Sequence, residues 1–198
     1  MTDIPTGPQP SLGKEVGVAL VPHPDFPHHA IAIVVDVART SEGDFVLRYA
    51  ATGDTNGIKV PAPVRYASRG IDLWRTTCFE AFVALEGKHE YLEFNFSPST
   101  AWEVYRLSSY REKGDILPFP APNFDVEISD GRIEVTVALD TTEMPPMISA
   151  APWQLGLSAI IEAKDGSKSY WALAHAPGPP DFHNRDCFTA RLAAPTRP

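Results

Sequence analysis

Residues 123–140 read NFDVEISDGRIEVTVALD, and this stretch decides the fold class. Apolar residues hold every second position on both sides of an Asp-Gly pair: Phe124, Val126 and Ile128 before it, and Ile133, Val135, Val137 and Leu139 after it. A period of two is typical of a half-buried strand, and Asp-Gly between two such runs is the strongest short-range signal for a hairpin. Asp130-Gly131 therefore predicts a tight turn between two antiparallel strands.

Similar short runs fill the rest of the chain. A second hairpin is predicted at Asp165-Gly166, between an alternating run over 155–161 and residues 170–174. Further strands are predicted at residues 16–20, 31–37, 45–50, 78–85, 91–97, 102–110 and 187–192, and residues 107–113 also suit a short helix. About ten strands without helical crossovers predict an all-β fold, an antiparallel two-sheet β-sandwich of jelly-roll or immunoglobulin-like type.

The composition predicts one soluble domain over residues 1–198, with 1–14 as a loosely ordered N-terminal arm. Hydrophobic residues make up 43% of the chain, enough for a sizeable core. The formal net charge is −8 and no basic stripe is visible, which argues against nucleic acid and anionic membranes as partners. Neither a signal peptide nor a membrane-spanning stretch is recognised, so we expect a cytoplasmic location.

The sequence holds none of the common catalytic motifs. It lacks a GxSxG nucleophile elbow, a P-loop, a GxGxxG fingerprint and an HExxH zinc motif. Cys78 and Cys187 form no CxxC pair, and we interpret them as small buried thiols inside strands. We therefore expect a protein that is not an enzyme. An enzyme of unfamiliar type, with Glu80, Glu93 or His183 as acid or base, is a third hypothesis.

Two predicted strands carry candidate ligand-binding residues. Glu80 lies in the run TCFEAFV, which is apolar on both faces, and a charge in such a strand needs a partner or a polar cavity. Glu93 and Asn95 share one face of the run YLEFNF, with its leucine and phenylalanines on the other face. The alternative to a ligand role is a solvated face or an internal ion pair, for instance with Arg75 or Arg106.

Aromatic residues stand near these strands. Trp74 precedes the Glu80 strand, and Trp171 and His183 lie towards the C-terminal end. Proteins hold sugars with rings that cover an apolar sugar face and with planar polar side chains that bind hydroxyl pairs. The alternative is that all the tryptophans belong to the core.

Three segments, in order, resemble DOMON-like domains and family 9 carbohydrate-binding modules. Residues 73–83 (LWRTTCFEAFV) resemble their W-x-x-D-x-x-E-x-F segment, although Thr77 replaces its acidic residue. Residues 91–98 (YLEFNFSP), followed by Trp102, resemble their Y-Y-E-F-x-x-N-P strand. Their ending, W…F-H-x-P-x-x-F-G, is matched by Ser169-Tyr170-Trp171, Asp181-Phe182-His183 and Cys187-Phe188. The resemblance is strongest to the bacterial DOMON-like group.

This resemblance implies a β-sandwich that binds sugar or haem on a concave face or edge. In the carbohydrate modules two tryptophans clamp a terminal sugar, and by position these match Trp74 and Trp171. We predict that one pocket, most consistent with a carbohydrate ligand, gathers these two rings with Arg75, Glu80 and His183. Glu93 and Asn95 are predicted as further ligand contacts.

Cofactors are not expected. Haem-binding relatives use a methionine and a histidine as axial ligands, but beyond Met1 the methionines here are Met144 and Met147, in one Pro-rich loop, so haem is disfavoured. The resemblance does not place the calcium ligands of the modules on this sequence. A structural or protein-interaction domain with a vestigial pocket remains the second hypothesis.

Overall fold

The computed structural model describes residues 16–195 apart from 27, 29, 41–43, 63, 65, 113 and 115, so the predicted arm at 1–14 lies outside the described residues. The described chain is built from strands, with these bounds: β1 Val16–Pro22, β2 Ile31–Arg39, β3 Asp44–Gly53, β4 Ser68–Arg69, β5 Cys78–Ala84, β6 Tyr91–Phe96, β7 Ala101–Leu107, β8 Asn123–Ser129, β9 Arg132–Asp140, β10 Trp153–Glu162, β11 Lys168–Ala172 and β12 Ala190–Leu192. The predicted all-β class is confirmed.

Both predicted hairpins are present. β8 and β9 pair antiparallel with Ser129 opposite Arg132, which leaves Asp130-Gly131 as a two-residue turn. Gly131 has a φ of 73°, a left-handed conformation that glycine adopts without the clash of a Cβ atom. β10 and β11 form the second antiparallel hairpin. The Asp-Gly signal therefore predicted the local chain reversals correctly.

The strands form one continuous sheet. Its order is β4-β7-β6-β5-β10-β11-β1-β2-β3-β9-β8, and β12 pairs with β10. β1 joins two halves, because residues 16–20 pair with β2 while Val21 and Pro22 pair with β11. We call β1, β2, β3, β9 and β8 half A, and the remaining strands half B. The expected division into two separate sheets is not what the hydrogen bonding gives, since one strand belongs to both halves.

The core lies between the two halves of the curled sheet. Alternate side chains of half A, such as Leu47 and Val137, join alternate side chains of half B, such as Phe94 and Leu157, in one buried cluster. Phe45 of half A meets Trp153 of half B edge to face, with ring centroids 5.0 Å apart. Each such side chain contributes about 1.5–3 kcal/mol when it is fully buried, so this shared cluster holds the halves together.

Strand β7 is shorter than predicted. It ends at Leu107, not at Tyr110, and residues 108–112 form a turn instead of the alternative short helix. The hydroxyls of Ser108 and Ser109 both donate to the carboxylate of Glu112, and Arg111 has a φ of 53°. A left-handed residue is incompatible with continuing either a strand or a right-handed helix, so the chain reverses here.

Helical structure in the described residues is limited to short turns. Three 3₁₀ turns span Leu73–Arg75, Thr141–Glu143 and Arg185–Cys187, and helix α1 spans only Pro146–Ser149. Over the described ranges, no helix has both the length and the apolar character needed to span a bilayer.

Candidate ligand-binding face

Half B has two faces, because successive side chains of a strand point to opposite sides. One face packs into the core, and we call the other the outer face. On the outer face, Glu103, Asn95, Glu80 and Ser158 lie directly opposite one another on β7, β6, β5 and β10. We call these four residues the polar row. The register therefore brings two of the predicted residues, from separate strands, side by side.

The polar row is buried and hydrogen-bonded. Each of its residues is at most 3% exposed. The hydroxyl of Ser158 donates to Oε2 of Glu80 at 3.0 Å, and Nδ2 of Asn95 donates to Oε1 of Glu93 at 2.8 Å. Burying polar side chains costs free energy unless they are hydrogen-bonded. A row of such residues across four strands is therefore a specific structural feature of this sheet.

The Glu103 end of the row is closed by an arginine. Arg69 forms an ion pair with Glu103 and also donates to the backbone oxygens of Leu117 at 2.6 Å and Phe119 at 3.2 Å. Its guanidinium lies 4.4 Å from the ring centroid of Trp102. These contacts tie the chain after β7 to the sheet edge, so Glu103 has a structural partner.

The next positions along the strands are partly covered by the C-terminal chain. Glu93 lies opposite Phe82, which lies opposite Gly156. A Cβ atom at position 156 would stand 2.8 Å from the Phe188 ring. We call residues 181–188 the C-terminal cover, because Phe188 of this segment rests directly on the sheet at Gly156.

The two buried carboxyl groups have shifted pKa values. Burial raises the pKa of Glu80 from near 4.5 to about 8, and the neighbouring charge of Glu93 adds to the shift, while the Ser158 hydroxyl opposes it. Burial also raises the pKa of Glu93, with partial compensation from Asn95 and Arg111. Desolvation and like charge both favour the protonated form. The outer face therefore holds at least one carboxyl proton near neutral pH.

His183 lies on the outer face, and its contacts hold the C-terminal cover in place. Its Nδ1 lies 2.8 Å from the hydroxyl of Tyr91, and its ring packs edge to face on Phe82 at 5.3 Å. Burial, followed by the positive charge of Arg111, lowers the pKa of His183 from 6.5 to about 4, although Asp181 opposes this. The imidazole is therefore neutral at physiological pH and holds the cover through Tyr91.

The rim beside His183 is closed by an ion pair. Arg111 binds Asp181 at 2.9 Å, and the hydroxyl of Tyr110 donates to the same carboxylate at 2.7 Å. The backbone N–H of Arg111 donates to the hydroxyl of Tyr91 at 3.3 Å. The turn after β7 and the C-terminal cover are thus joined at the edge of the outer face.

Trp74 is exposed at the other end of the face. It is 44% exposed, whereas the other three of the four tryptophans are buried. The turn that carries it packs against β5, β6 and β7. Burial is the main cause of the raised pKa of Tyr105, which stands opposite Glu93, and the charge of the neighbouring Asp72 adds to the shift. The guanidinium of Arg75 lies 4.7 Å from the Trp74 ring centroid. This ring is the tryptophan available to a ligand.

Trp171 does not join Trp74, which corrects the expected pairing of the two rings. Trp171 lies opposite Ala159, which lies opposite Phe79, and this register places it on the core face. Glu80, one residue further along β5, is on the outer face. Trp171 is 2% exposed within the main core, and its Nε1 donates to the Ser169 hydroxyl at 3.0 Å. The expected five-residue pocket is therefore not formed.

The ion pairs suggested as alternatives for Glu80 and Glu93 are also not formed. Arg75 binds Asp72 at 2.8 Å, and Arg106 binds Glu90 at 2.8 Å. Both pairs lie outside the polar row. Among the described residues, no lysine or arginine forms an ion pair with either buried carboxyl group.

Sequence reasoning missed two members of the polar row, Ser158 and Glu103. Ser158 stands one residue out of phase with the apolar series of β10, and Glu103 alternates with Trp102 and Val104. Both are therefore polar residues on the non-core parity of a predicted strand. The alternation of residues along each strand therefore indicated that both side chains point away from the core. Alternation alone does not distinguish a buried outer face from a solvated one.

The described residues provide little for a metal or haem. No group of three or more His, Cys, Asp or Glu side chains in the described ranges is arranged to hold a metal ion. Met144 is buried in the main core, away from the outer face. Cys78 and Cys187 are both free and buried.

Comparison with known proteins supports the fold. No protein-family model and no curated protein matches the chain. A proposed carbohydrate-binding protein from Bacteroides uniformis superposes with a TM-score of 0.65 at 14% identity, covering 90% of this chain and 86% of that one. A family 9 carbohydrate-binding module from Caldicellulosiruptor kristjanssonii, in complexes with cellotriose and with glucose, gives TM-scores of 0.57 in both cases. Identity is 8% and 9%, with 87% and 94% of this chain and 79% and 91% of the other covered. At these identities the likeness shows a shared fold.

Proposed function

We propose that this chain is a single, non-catalytic carbohydrate-binding domain of the DOMON-like or family 9 module type, a β-sandwich whose two layers are the halves of the curled sheet. The observation that carries the proposal is the polar row, buried on the outer face of strands against which the turn that carries the exposed Trp74 packs. Solved structures of the same fold hold cellotriose and glucose. A cytoplasmic location stays a prediction.

The geometry suits a sugar because it combines two kinds of contact. Trp74 offers an open ring that can cover an apolar sugar face. The carboxyl of Glu80 and the amide of Asn95 are planar groups suited to neighbouring hydroxyls; because they are 3% and 1% exposed, the proposal requires the outer face to open when a sugar binds. His183 contributes less directly, by fixing the cover that bounds the face. Trp171 has no direct contact in this proposal.

The binding proposal is tested with cellotriose and glucose in isothermal titration calorimetry. Removing the ring in Trp74→Ala should weaken cellotriose binding at least about fivefold, because an aromatic ring stacked on a sugar face contributes on the order of 1 kcal/mol or more. Ile128→Ala is the matched control, because Ile128 is a similarly exposed apolar residue at the opposite sheet edge. Both variants should unfold at nearly the wild-type urea concentration, since neither side chain is in the core.

A protein-interaction role is the second candidate function. The segment that carries Trp74 also exposes Tyr66, which is 72% exposed, and Ile71, which is 86% exposed. Clustered exposed apolar side chains mark interaction sites. Equal cellotriose affinity of Trp74→Ala and wild type would remove Trp74 from the binding site, whereas no binding of cellotriose or glucose by the wild type would reject the sugar proposal and favour this one.

A further inference from the structure

We propose that the outer edge of strand β8 binds an extended basic segment of a partner protein, which joins half A as one further strand. The proposal goes beyond the carbohydrate function, because β8 ends half A whereas the polar row lies on half B. Three features of this edge support it: a backbone that is paired on one side only, two acidic side chains without a counter-ion, and the repulsion that a second copy of the chain would meet.

The backbone of β8 has one unpaired side. In the described chain β8 is the last strand of the sheet order and pairs with β9 alone. Ser129 and Arg132 flank the two-residue turn as a hydrogen-bonded pair, and such pairs alternate with non-bonded pairs along an antiparallel ladder. The N–H and C=O groups of Phe124, Val126 and Ile128 therefore point away from β9. Within the described ranges, no hydrogen bond from another segment reaches these groups, so they can pair with an added strand.

The two faces of β8 define the pattern of the segment that would fit. Phe124 and Val126 pack against the main core, and Ile128, on the same face, is 51% exposed. Asp125 and Glu127 lie on the other face and are exposed. Side chains of paired strands lie beside one another on each face. The complementary segment therefore alternates apolar residues with residues that complement two acids.

The acids of β8 have no positive charge in contact with them. Glu127 stands directly opposite Glu134 of β9, and Arg132, two residues away on the same face, forms an ion pair with Glu134. Among the residues that the structure describes, no lysine or arginine forms an ion pair with Asp125 or Glu127. Lysine or arginine on an added strand would form favourable cross-strand pairs with these two acids.

A second copy of the chain does not complement this edge. Antiparallel pairing of two β8 strands, centred on Val126, would place Asp125 of each copy opposite Glu127 of the other. Like charges directly opposite destabilise a sheet, and charged edges of this kind oppose self-association. The charges thus favour a basic segment of a different protein as the occupant.

The probe is a peptide of about nine residues, a common strand length, in which lysine alternates with valine. It is added to the full chain at about 0.05 M salt, where exposed charges are screened less than at physiological salt. Binding should slow amide hydrogen exchange at Phe124, Val126 and Ile128 at least about tenfold, because these N–H groups become hydrogen-bonded. A peptide with glutamate in place of lysine, and one with the same lysines and valines in two separate blocks, should give no such protection. Equal protection by either control peptide overturns the proposal.

Charge variants test the two acids. The double variant Asp125→Asn with Glu127→Gln should bind the lysine-valine peptide at least about fivefold more weakly than wild type. The matched control is Asp25→Asn with Glu86→Gln, which removes the same charge at exposed positions away from β8 and should change the affinity less than about twofold. Equal weakening in both double variants would mean that only long-range attraction to the acidic chain is at work, and would overturn the proposal.

A proline variant tests strand addition itself. The N–H of Ile128 points to the open edge, so Ile128→Pro removes a donor for the added strand and spares the β8–β9 ladder. Ile128→Ala keeps this N–H and is the matched control. Ile128→Pro should bind the peptide at least about tenfold more weakly than Ile128→Ala, while the amides of Asp125 and Glu127 stay protected in both variants.

Three results would overturn the proposal and leave the carbohydrate function untouched. The first is equal affinity of Ile128→Pro and Ile128→Ala for the peptide. The second is no binding of the lysine-valine peptide by the wild type. The third is protection of the Val126 amide that rises with the concentration of the chain alone, because a second copy would then occupy the edge.

Discussion

Glu80 is the residue at which the fold and the proposed function meet. All seven residues of β5 are buried, and six of them are apolar or a thiol. A carboxyl group in such a strand is stable only in a polar setting or in its neutral form. The hydroxyl of Ser158 supplies one hydrogen bond, and burial raises the pKa of Glu80, which favours its neutral form.

This ionisation predicts how stability varies with pH. The pKa of Glu80 rises from near 4.5 to about 8 on folding, so the folded state binds the proton more tightly than the unfolded state. Its contribution to stability is full below about pH 4.5 and is lost as pH rises through about 8. Glu80→Gln removes this loss, and its free energy of unfolding should exceed that of wild type by on the order of a few kcal/mol more at about pH 9 than at about pH 5.

Urea unfolding at several pH values measures this difference. Glu127→Gln provides the comparison for an exposed carboxylate and should follow the wild-type curve. Parallel curves for Glu80→Gln and wild type would mean that Glu80 is not protonated in the folded chain.

The same scale shows where sequence reasoning reached its limit. Glu93 and Asn95 were predicted to share a face, and they do, because residues two apart in a strand always point the same way. Trp171 was assigned to the same face as Glu80 and lies on the other. A shift of one residue in register exchanges the two faces, and the sequence alone does not relate the parity of β11 to that of β5.

At the scale of elements, the C-terminal cover depends on one glycine. β10 has no side chain at Gly156, and the Phe188 ring occupies the space that a Cβ atom would take. Phe188 also packs with Phe82 and Tyr91 in the outer-face apolar cluster. Asp-Gly pairs predicted the hairpin turns. The contact between Gly156 and Phe188 joins residues 32 positions apart, and no local sequence pattern predicts it.

Gly156→Ala tests how the cover is seated. A methyl group at this position would meet Phe188 at 2.8 Å, and overpacking of a buried cluster costs about 1–3 kcal/mol. We expect Gly156→Ala to lower the free energy of unfolding by that amount and to increase proteolysis within residues 181–188. Phe188→Ala removes the obstructing ring, so adding Gly156→Ala to Phe188→Ala should cost much less than it does in wild type. Additive losses would show that the cover does not rest on this glycine.

At the scale of the molecule, the alternating patterns predicted most strands but did not predict the order of the strands in the sheet. β5 pairs with β10, and the bond between Ser158 and Glu80 spans 78 residues of sequence. Hydrophobic periodicity indicates which residues of a strand are buried. Because every amphipathic strand shows the same periodicity, it does not indicate which strands are neighbours. The continuous sheet follows from β1, which bonds to β2 with its first part and to β11 with its last two residues.

This shared strand predicts that the two halves unfold together. Leu20 lies on β1 and is buried in the core that both halves line. Leu20→Ala should lower the free energy of unfolding by about 2–5 kcal/mol, while Val34→Ala, at an exposed position of β2, should cost less than about 1 kcal/mol. Far-ultraviolet circular dichroism reports on all strands, whereas tryptophan fluorescence reports mainly on half B, which carries the three buried tryptophans Trp102, Trp153 and Trp171. In Leu20→Ala the two signals should shift by the same amount and keep one common midpoint, because no strand pairing of half B can be retained once β1 and the shared core are lost. Two separate midpoints would instead show that each half is stable without the other, and that β1 connects two independent units.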